Sequence, residues 1–215
     1  DPARVQTNPL QFQKLVEPRT QNEKYGWDAR LMFAVGDGNH SLASAKSWWE
    51  KLKKELSEEE KQNHPARYAL VEVVNIYDEA LDFQSIHRVM LKTDISFVDK
   101  LKENLSGNGK IKLFTKDEEF EIDAPEKSSE QIMQVQNFIE EYIKKYPSQV
   151  DYVHGEDHLR EVVEENQNSI GILLPIFEKE ELFNYVLNVG NLPKKAFSIG
   201  GPEFKKYYIE AKKIK

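Results

Sequence analysis

The stretch from Leu31 to Glu50, LMFAVGDGNHSLASAKSWWE, constrains the chain more than any other. Its apolar run Leu31–Val35 has the composition of a short strand and breaks at Gly36-Asp37-Gly38-Asn39. From about His40 the pattern turns helical, with Leu42, Ala45 and Trp49 at the spacing of one buried face. Two glycines around an aspartate suit a turn that needs positive φ, or a backbone that something else must approach closely. Strand, glycine turn and helix together can build an anion site. The first helical turn leaves backbone N–H groups without partners, and the helix dipole favours negative charge there. Asn39 has the side chain of an N-cap, and His40 and Ser41 fall where the helix begins. The same pattern also serves as a capped strand-to-helix connection with no ligand, since one short glycine turn is a weak motif.

The rest of the chain narrows the function class. With 215 residues it can bury a real core, as one α+β domain or two packed subdomains over residues 29–215. Residues 1–28, with prolines at 2, 9 and 18, read as a connector holding at most a short helix at 9–16. A net charge of −7 and a pI near 5.4 argue against a general nucleic-acid or anionic-membrane surface, while leaving room for a local basic pocket. The chain has no cysteine, which excludes a disulfide framework, a thiolate zinc site and a thiol nucleophile. No run is long enough to cross a bilayer and no signal peptide is visible, so the expectation is a cytoplasmic protein. The chain opens at Asp1 in a loop-like segment. That suggests the C-terminal part of a longer protein, whose N-terminal portion packs against this one.

Periodicity predicts a helix from His40 to Leu56 and a short one opened by Ser57, an N-cap followed by three glutamates. Residues 67–76 are rich in β-branched side chains and read as a central strand, pairing antiparallel with a second strand at 82–92. A helix over 95–105, a hairpin over 110–115 and 119–122, and a long helix from Ser128 or Ser129 to before Pro147 follow. A strand at 151–153, a helix at 156–165, a strand at 170–176, a helix at 179–188 and extended segments at 195–199 and 205–213 complete the chain. Strands and helices mix without strict βαβ order. The predicted fold is therefore α+β, a mixed and largely antiparallel sheet with helices packed on it.

Several polar residues fall where chemistry could sit. A phosphate site would use Gly38, Asn39 and Ser41 on the turn, Arg88 as the main charge, His154 before Gly155 as a second helix entry, and Lys194 or Lys195 as a further cation. Asp37, His40 and His87 are the candidate catalytic groups; Asp37 could hold Mg²⁺ or act as a general base on a hydroxyl. A metal centre from His40, His87, His154 and Asp37 lacks any close ligand spacing and is not expected. Each group also has a plain reading, as a partly buried strand histidine, a paired arginine or a solvated lysine.

The segment AVGDGNHSLASAK resembles the motif of a broad bacterial and archaeal family catalogued as domain of unknown function 1015, whose common form reads ADGHHRYEAA. HPARYALVEVVNIYDEALDFQSIHRVM at 64–90, YVHGED at 152–157 and LPKKAFSI at 192–199 resemble it too, so the similarity runs through most of the chain. The turn is also similar, more distantly, to the phosphate-contacting turn of the ParB and sulfiredoxin superfamily. That superfamily includes nucleotide-binding partition proteins, a phosphoryl-transferring reductase and free-serine kinases. The resemblance implies a nucleotide or phosphorylated small molecule as ligand, Mg²⁺ with the nucleotide, and phosphoryl transfer to a small hydroxylated metabolite. Here Asn39 stands in place of the motif's first histidine and Ser41 in place of its arginine, which removes a bidentate phosphate clamp. A non-catalytic ligand-binding or regulatory module is the alternative. DNA binding in the manner of partition proteins is disfavoured by the acidic charge.

Overall fold

The computed structural model describes residues 13–36, 38–69, 71 and 73–200. The chain divides into two units, one ending at Asn75 and one beginning at Ile76. Asp37, the part of the predicted 9–16 helix that precedes residue 13 and the predicted extended segment at 205–213 lie outside the described residues, while residues 13–15 are helical.

In the first unit, helix α1 spans Pro18–Tyr25 inside what the sequence presents as connector. Pro18 occupies the first turn, where its missing N–H costs nothing. Gly26, at φ 81°, ends the helix by donating its N–H to the Asn22 carbonyl. Helix α2 spans Asn39–Leu52 and tightens into a 3₁₀ turn at Lys53–Glu55, matching the predicted helix in extent, but the expected buried face is not formed: Ala45 is exposed and Leu42 and Trp49 are only half-buried. Helix α3, Glu58–Asn63, is opened by Ser57 as expected: Ser57 Oγ accepts from the Glu60 N–H while the Glu60 carboxylate accepts from the Ser57 N–H.

Two predicted strands do not form. Residues 31–35 and the described residues of 67–76 are not in a sheet, and most of their apolar side chains are exposed, Phe33 by 53% and Val71 by 60%. At Leu31 the reason is visible. Gln21 of α1, the one buried side chain among the described residues of this unit, turns its amide to the Leu31 backbone. It accepts from the Leu31 N–H and donates to the Leu31 carbonyl, each at 3.0 Å, as a neighbouring strand would. For residues 67–76 the β-branched composition expresses a fit to a pleated, half-buried surface, and the unit supplies no such surface among its described residues.

The second unit has a sheet with an apolar core on both faces. Its strands are β1 (Phe83–Gln84), β2 (Ile86–Leu91), β3 (Gly109–Phe114), β4 (Glu119–Ala124), β5 (Gln149–His154), β6 (Ile170–Leu173) and β7 (Ser198–Ile199). Five of these form an antiparallel sheet in the order β4-β3-β6-β2-β5, and β1 pairs with β7 in a separate two-stranded ribbon. The predicted 82–92 strand is thus cut at Ser85 and shared between two sheets. Its long part, β2, pairs with β5 and β6 rather than with 67–76.

The helices of this unit are α4 (Ser96–Asn104), α5 (Ser128–Lys145), α6 (Glu156–Glu165) and α7 (Lys179–Asn188). One face of the sheet contributes Met90, Leu113, Ile122 and Ile172 to a cluster with Phe97 and Leu101 of α4 and with Ile132, Val135 and Ile139 of α5. The opposite face sets Val89, Phe114 and Val153 against Leu159 and Val163 of α6. Phe114 can lie flat only because its neighbour across the strands is Gly171. A Cβ on that glycine would sit 2.6 Å from the ring. The start of α5 is held by α7, whose Glu181 carboxylate accepts from the Ser129 N–H at 3.0 Å.

Candidate functional site

The glycine turn and the histidine–arginine strand fall in different units. In the first unit the helix entry is built by Gly38, at φ 77° and ψ 16°, whose carbonyl accepts from the Leu42 N–H at 2.9 Å. This left-handed geometry is accessible to glycine at little cost, which explains the residue type there. Gly38 is the N-cap and Asn39 is the first helical residue, so the expected capping role of Asn39 is not fulfilled. Gly38 has no side chain with which to cap the first helical turn, no acidic residue lies among Asn39, His40 and Ser41, and these three residues are exposed. Helix α1 also opens with no side-chain cap and no acid in its first turn, whereas α3 is closed by its own capping box and α5 by Glu181.

In the second unit, His87 and Arg88 lie on the central strand β2, pointing to opposite faces. His87 is buried. Its Nδ1 accepts from the Leu174 N–H at 3.2 Å, so the ring proton resides on Nε2, which points to Ser85 Oγ at 3.4 Å. That tautomer makes His87 a donor towards Ser85, the wrong polarity for a base that would activate this hydroxyl. Burial lowers its pKa below 6.5, Glu156 opposes that shift, and the neighbouring Arg88 and His154 add to it. His87 is a neutral structural imidazole at neutral pH.

Arg88 is fully buried, and its guanidinium is committed. Nε donates to the Gln136 amide oxygen of α5 at 2.9 Å and one terminal nitrogen to the Ile86 carbonyl at 2.6 Å. The other terminal nitrogen donates to the Lys195 carbonyl at 2.9 Å and the Lys194 carbonyl at 3.3 Å. The Tyr152 ring lies beneath the guanidinium, 4.7 Å from its carbon to the ring centroid. Gln136 in turn donates to the Tyr152 hydroxyl and to Glu140, both at 3.1 Å. Desolvation pulls the Arg88 pKa down to about 10, which leaves it charged at neutral pH.

The structure therefore brings Arg88 together with Lys194 and Lys195, but through their carbonyls and not their ammonium groups. His154 ends β5 opposite Ile86 and precedes Gly155, the N-cap of α6. Glu156 and Asp157 occupy the first turn of α6, so negative charge is already supplied at that helix entry. His158 is exposed and meets Glu161 at 3.2 Å. Among the described residues no three His, Cys, Asp or Glu side chains gather as a metal site would require.

Gln136 and Tyr152 are partners of Arg88 that the sequence reading does not single out. The signal for Gln136 was present, a polar residue inside the apolar stripe of α5 between Ile132, Val135 and Ile139. An unexplained polar group on a buried helix face asks for a buried partner.

A family model described as protein of unknown function (DUF1015) matches residues 5–173. The chain belongs to this family. The DUF1015 match spans the glycine turn, His87, Arg88 and His154, and ends before Lys194 and Lys195. No curated protein matches the chain. No solved structure matches it either. Among the described residues of this DUF1015 member, no helix is long and apolar enough to cross a membrane.

Proposed function

We propose that this DUF1015 member binds a nucleotide or a phosphorylated small molecule, with a phosphate group seated at the turn formed by Gly38, Asn39, His40 and Ser41. The observation that carries the reading is the left-handed Gly38 opening a 14-residue helix whose first turn has neither a side-chain cap nor an acid. A phosphate there would accept from first-turn N–H groups that have no acceptor within the helix, and the helix dipole would favour its charge. The exposed Ser41 hydroxyl and His40 ring add donors. Such ligands are cytoplasmic, and the proposal puts the protein there.

Binding without turnover is the form of this reading that the residues favour. Ser41 stands where the related motif has arginine, and Arg88 has its donors on neutral oxygens of its own unit. Phosphoryl transfer to a small hydroxylated acceptor, with Mg²⁺ on Asp37, is the catalytic form. A thermal-shift series with ATP, ADP, CTP and inorganic phosphate, with and without Mg²⁺, tests both. A ligand specific for the folded chain raises the melting temperature. Stabilisation of the wild type that is lost in His40→Ala supports the turn, and product formation would establish transfer. No response to any of the four ligands would end the proposal.

A further inference from the structure

Helix α7 is more apolar than its own packing requires. Leu182 and Tyr185 enter the main core cluster, whereas Val186 and Leu187 are half-buried and belong to neither cluster. A surface helix needs one apolar stripe against one core, and α7 carries more than that. The surface continues before the helix. Ile176, 52% exposed, lines a cavity of about 260 Å³ together with the buried rings of Phe83 and Phe177. Lys179 lines it too, and Val186 lies seven residues further along the same face of α7. The cavity is smaller than the roughly 300–1,000 Å³ of small-molecule pockets, a size that suits one anchored side chain of a polypeptide.

The rim of this cavity is acidic, with Asp82, Glu178 and Glu180. Among the described residues no lysine or arginine forms an ion pair with any of the three. The Lys179 ammonium is turned instead to the Asp78 carbonyl, at 3.1 Å, and to the Phe83 ring. The polypeptide that reaches the rim first is the chain's own. Strand β7 pairs with β1 up to Ile199, and the Gly200 N–H then donates to the carbonyl of Asp82 at 2.8 Å. The sequence beyond, residues 201–215, lies outside the described residues and reads GPEFKKYYIEAKKIK, five lysines against two glutamates. Its first aromatic residue, Phe204, is four positions from Gly200, a reach of up to about 14 Å.

From this we infer that the cavity is the docking site of the chain's own residues 201–215, with Phe204 seated against the Phe83 and Phe177 rings and Lys205 and Lys206 meeting the acidic rim. Cavity and segment both belong to the second unit, so the inference is independent of the glycine turn. Exposed ion pairs contribute little one by one. A tether of four residues raises the local concentration of the anchor to the millimolar range, so one aromatic contact and a few such pairs suffice. The docked segment covers Ile176 and holds β7, only two residues long, against β1.

The test is methyl NMR of the full 215-residue chain, read at Ile176. Phe204→Ala removes the ring next to this side chain and should shift its methyl resonance. Leu159, packed under α6 on the opposite face of the sheet, should not move. Lys205→Glu combined with Lys206→Glu repels the rim and should produce the same Ile176 shift with Phe204 intact. Adding Phe204→Ala to that pair should shift Ile176 little further, because both changes release one segment. An Ile176 resonance that is identical in the wild type, in Phe204→Ala and in the double lysine variant overturns the proposal. So does a wild-type Ile176 resonance that moves with protein concentration, which would give the cavity to a second copy of the chain.

Discussion

His87 carries a pH dependence whose direction follows from its surroundings. Its native pKa lies below the ordinary 6.5, first because of burial. The folded state thus binds fewer protons than the unfolded state around that value. Stability is complete above pH 6.5, falls as pH drops below it, and stops falling once the native imidazole is itself protonated. Protonation also converts Nδ1 from acceptor to donor against the Leu174 N–H, so the acid form loses that bond. Urea unfolding midpoints of wild type and His87→Phe between pH 5 and 7.5 should show a slope in the wild type that the variant loses in large part. A wild-type curve flat across that window would contradict the assignment.

Arg88 predicts a different loss. Arg88→Lys keeps the charge but gives up the planar fork, and an ammonium cannot hold four divergent acceptors. With three hydrogen bonds lost at about 1 kcal/mol each, the variant should lose about 3 kcal/mol of unfolding free energy. A loss below about 1 kcal/mol would mean that water takes over the carbonyls.

Among the elements, the sheet shows how close packing and edge protection constrain individual strands. Gly171 on β6 lies under the Phe114 ring, and Arg160 of α6 covers that ring with its guanidinium 4.5 Å from the centroid. Gly171→Ala would force the ring out of this stack, at about 1–3 kcal/mol as other overpacked cores show. Differential scanning calorimetry of the variant checks it.

The two outer strands of the five-stranded sheet avoid pairing with other chains by different means. On β4, Glu119, Glu121 and Asp123 place negative charge along the edge. On β5, the Asp151 carboxylate accepts from the Tyr152 N–H at 2.7 Å and occupies a donor that an incoming strand would need. Asp151→Val removes both charge and plug and should increase self-association over wild type in sedimentation velocity. Asp151→Asn retains an acceptor oxygen and should not. Equal behaviour of the two variants would show that Asp151 does not guard the edge.

The molecule as a whole distributes its apolar burial unevenly. All the buried apolar side chains among the described residues lie from Phe83 onward, and the first unit buries Gln21 alone. Hydrophobic burial is the main favourable term in folding, and among the described residues the second unit holds nearly all of it. A fragment of residues 76–215 should unfold in one cooperative thermal transition by circular dichroism. A fragment 76–215 that stays unstructured would refute this division of stability.

The elements legible in the order of residues are those that short-range physics encodes. The stripe of Ile132, Val135 and Ile139 specified α5, and Ser57 with Glu60 specified the entry of α3. Alternation around Lys116 and Asp117 gave the β3–β4 hairpin, and the glycines at 36 and 38 marked the helix entry where Gly38 takes a left-handed turn. The α+β class and the family follow from the order of such elements and from the motif they carry. Tertiary structure alone decided which strands pair. It set β2 between β5 and β6, gave the Leu31 backbone to Gln21 and left the β-branched run after Arg67 outside any described sheet. It also turned Arg88 inward onto Gln136, Tyr152 and two distant carbonyls. The physical reason is range: periodicity and capping act over about one helical turn, while strand partners and the neighbours of a buried charge come from residues dozens of positions away.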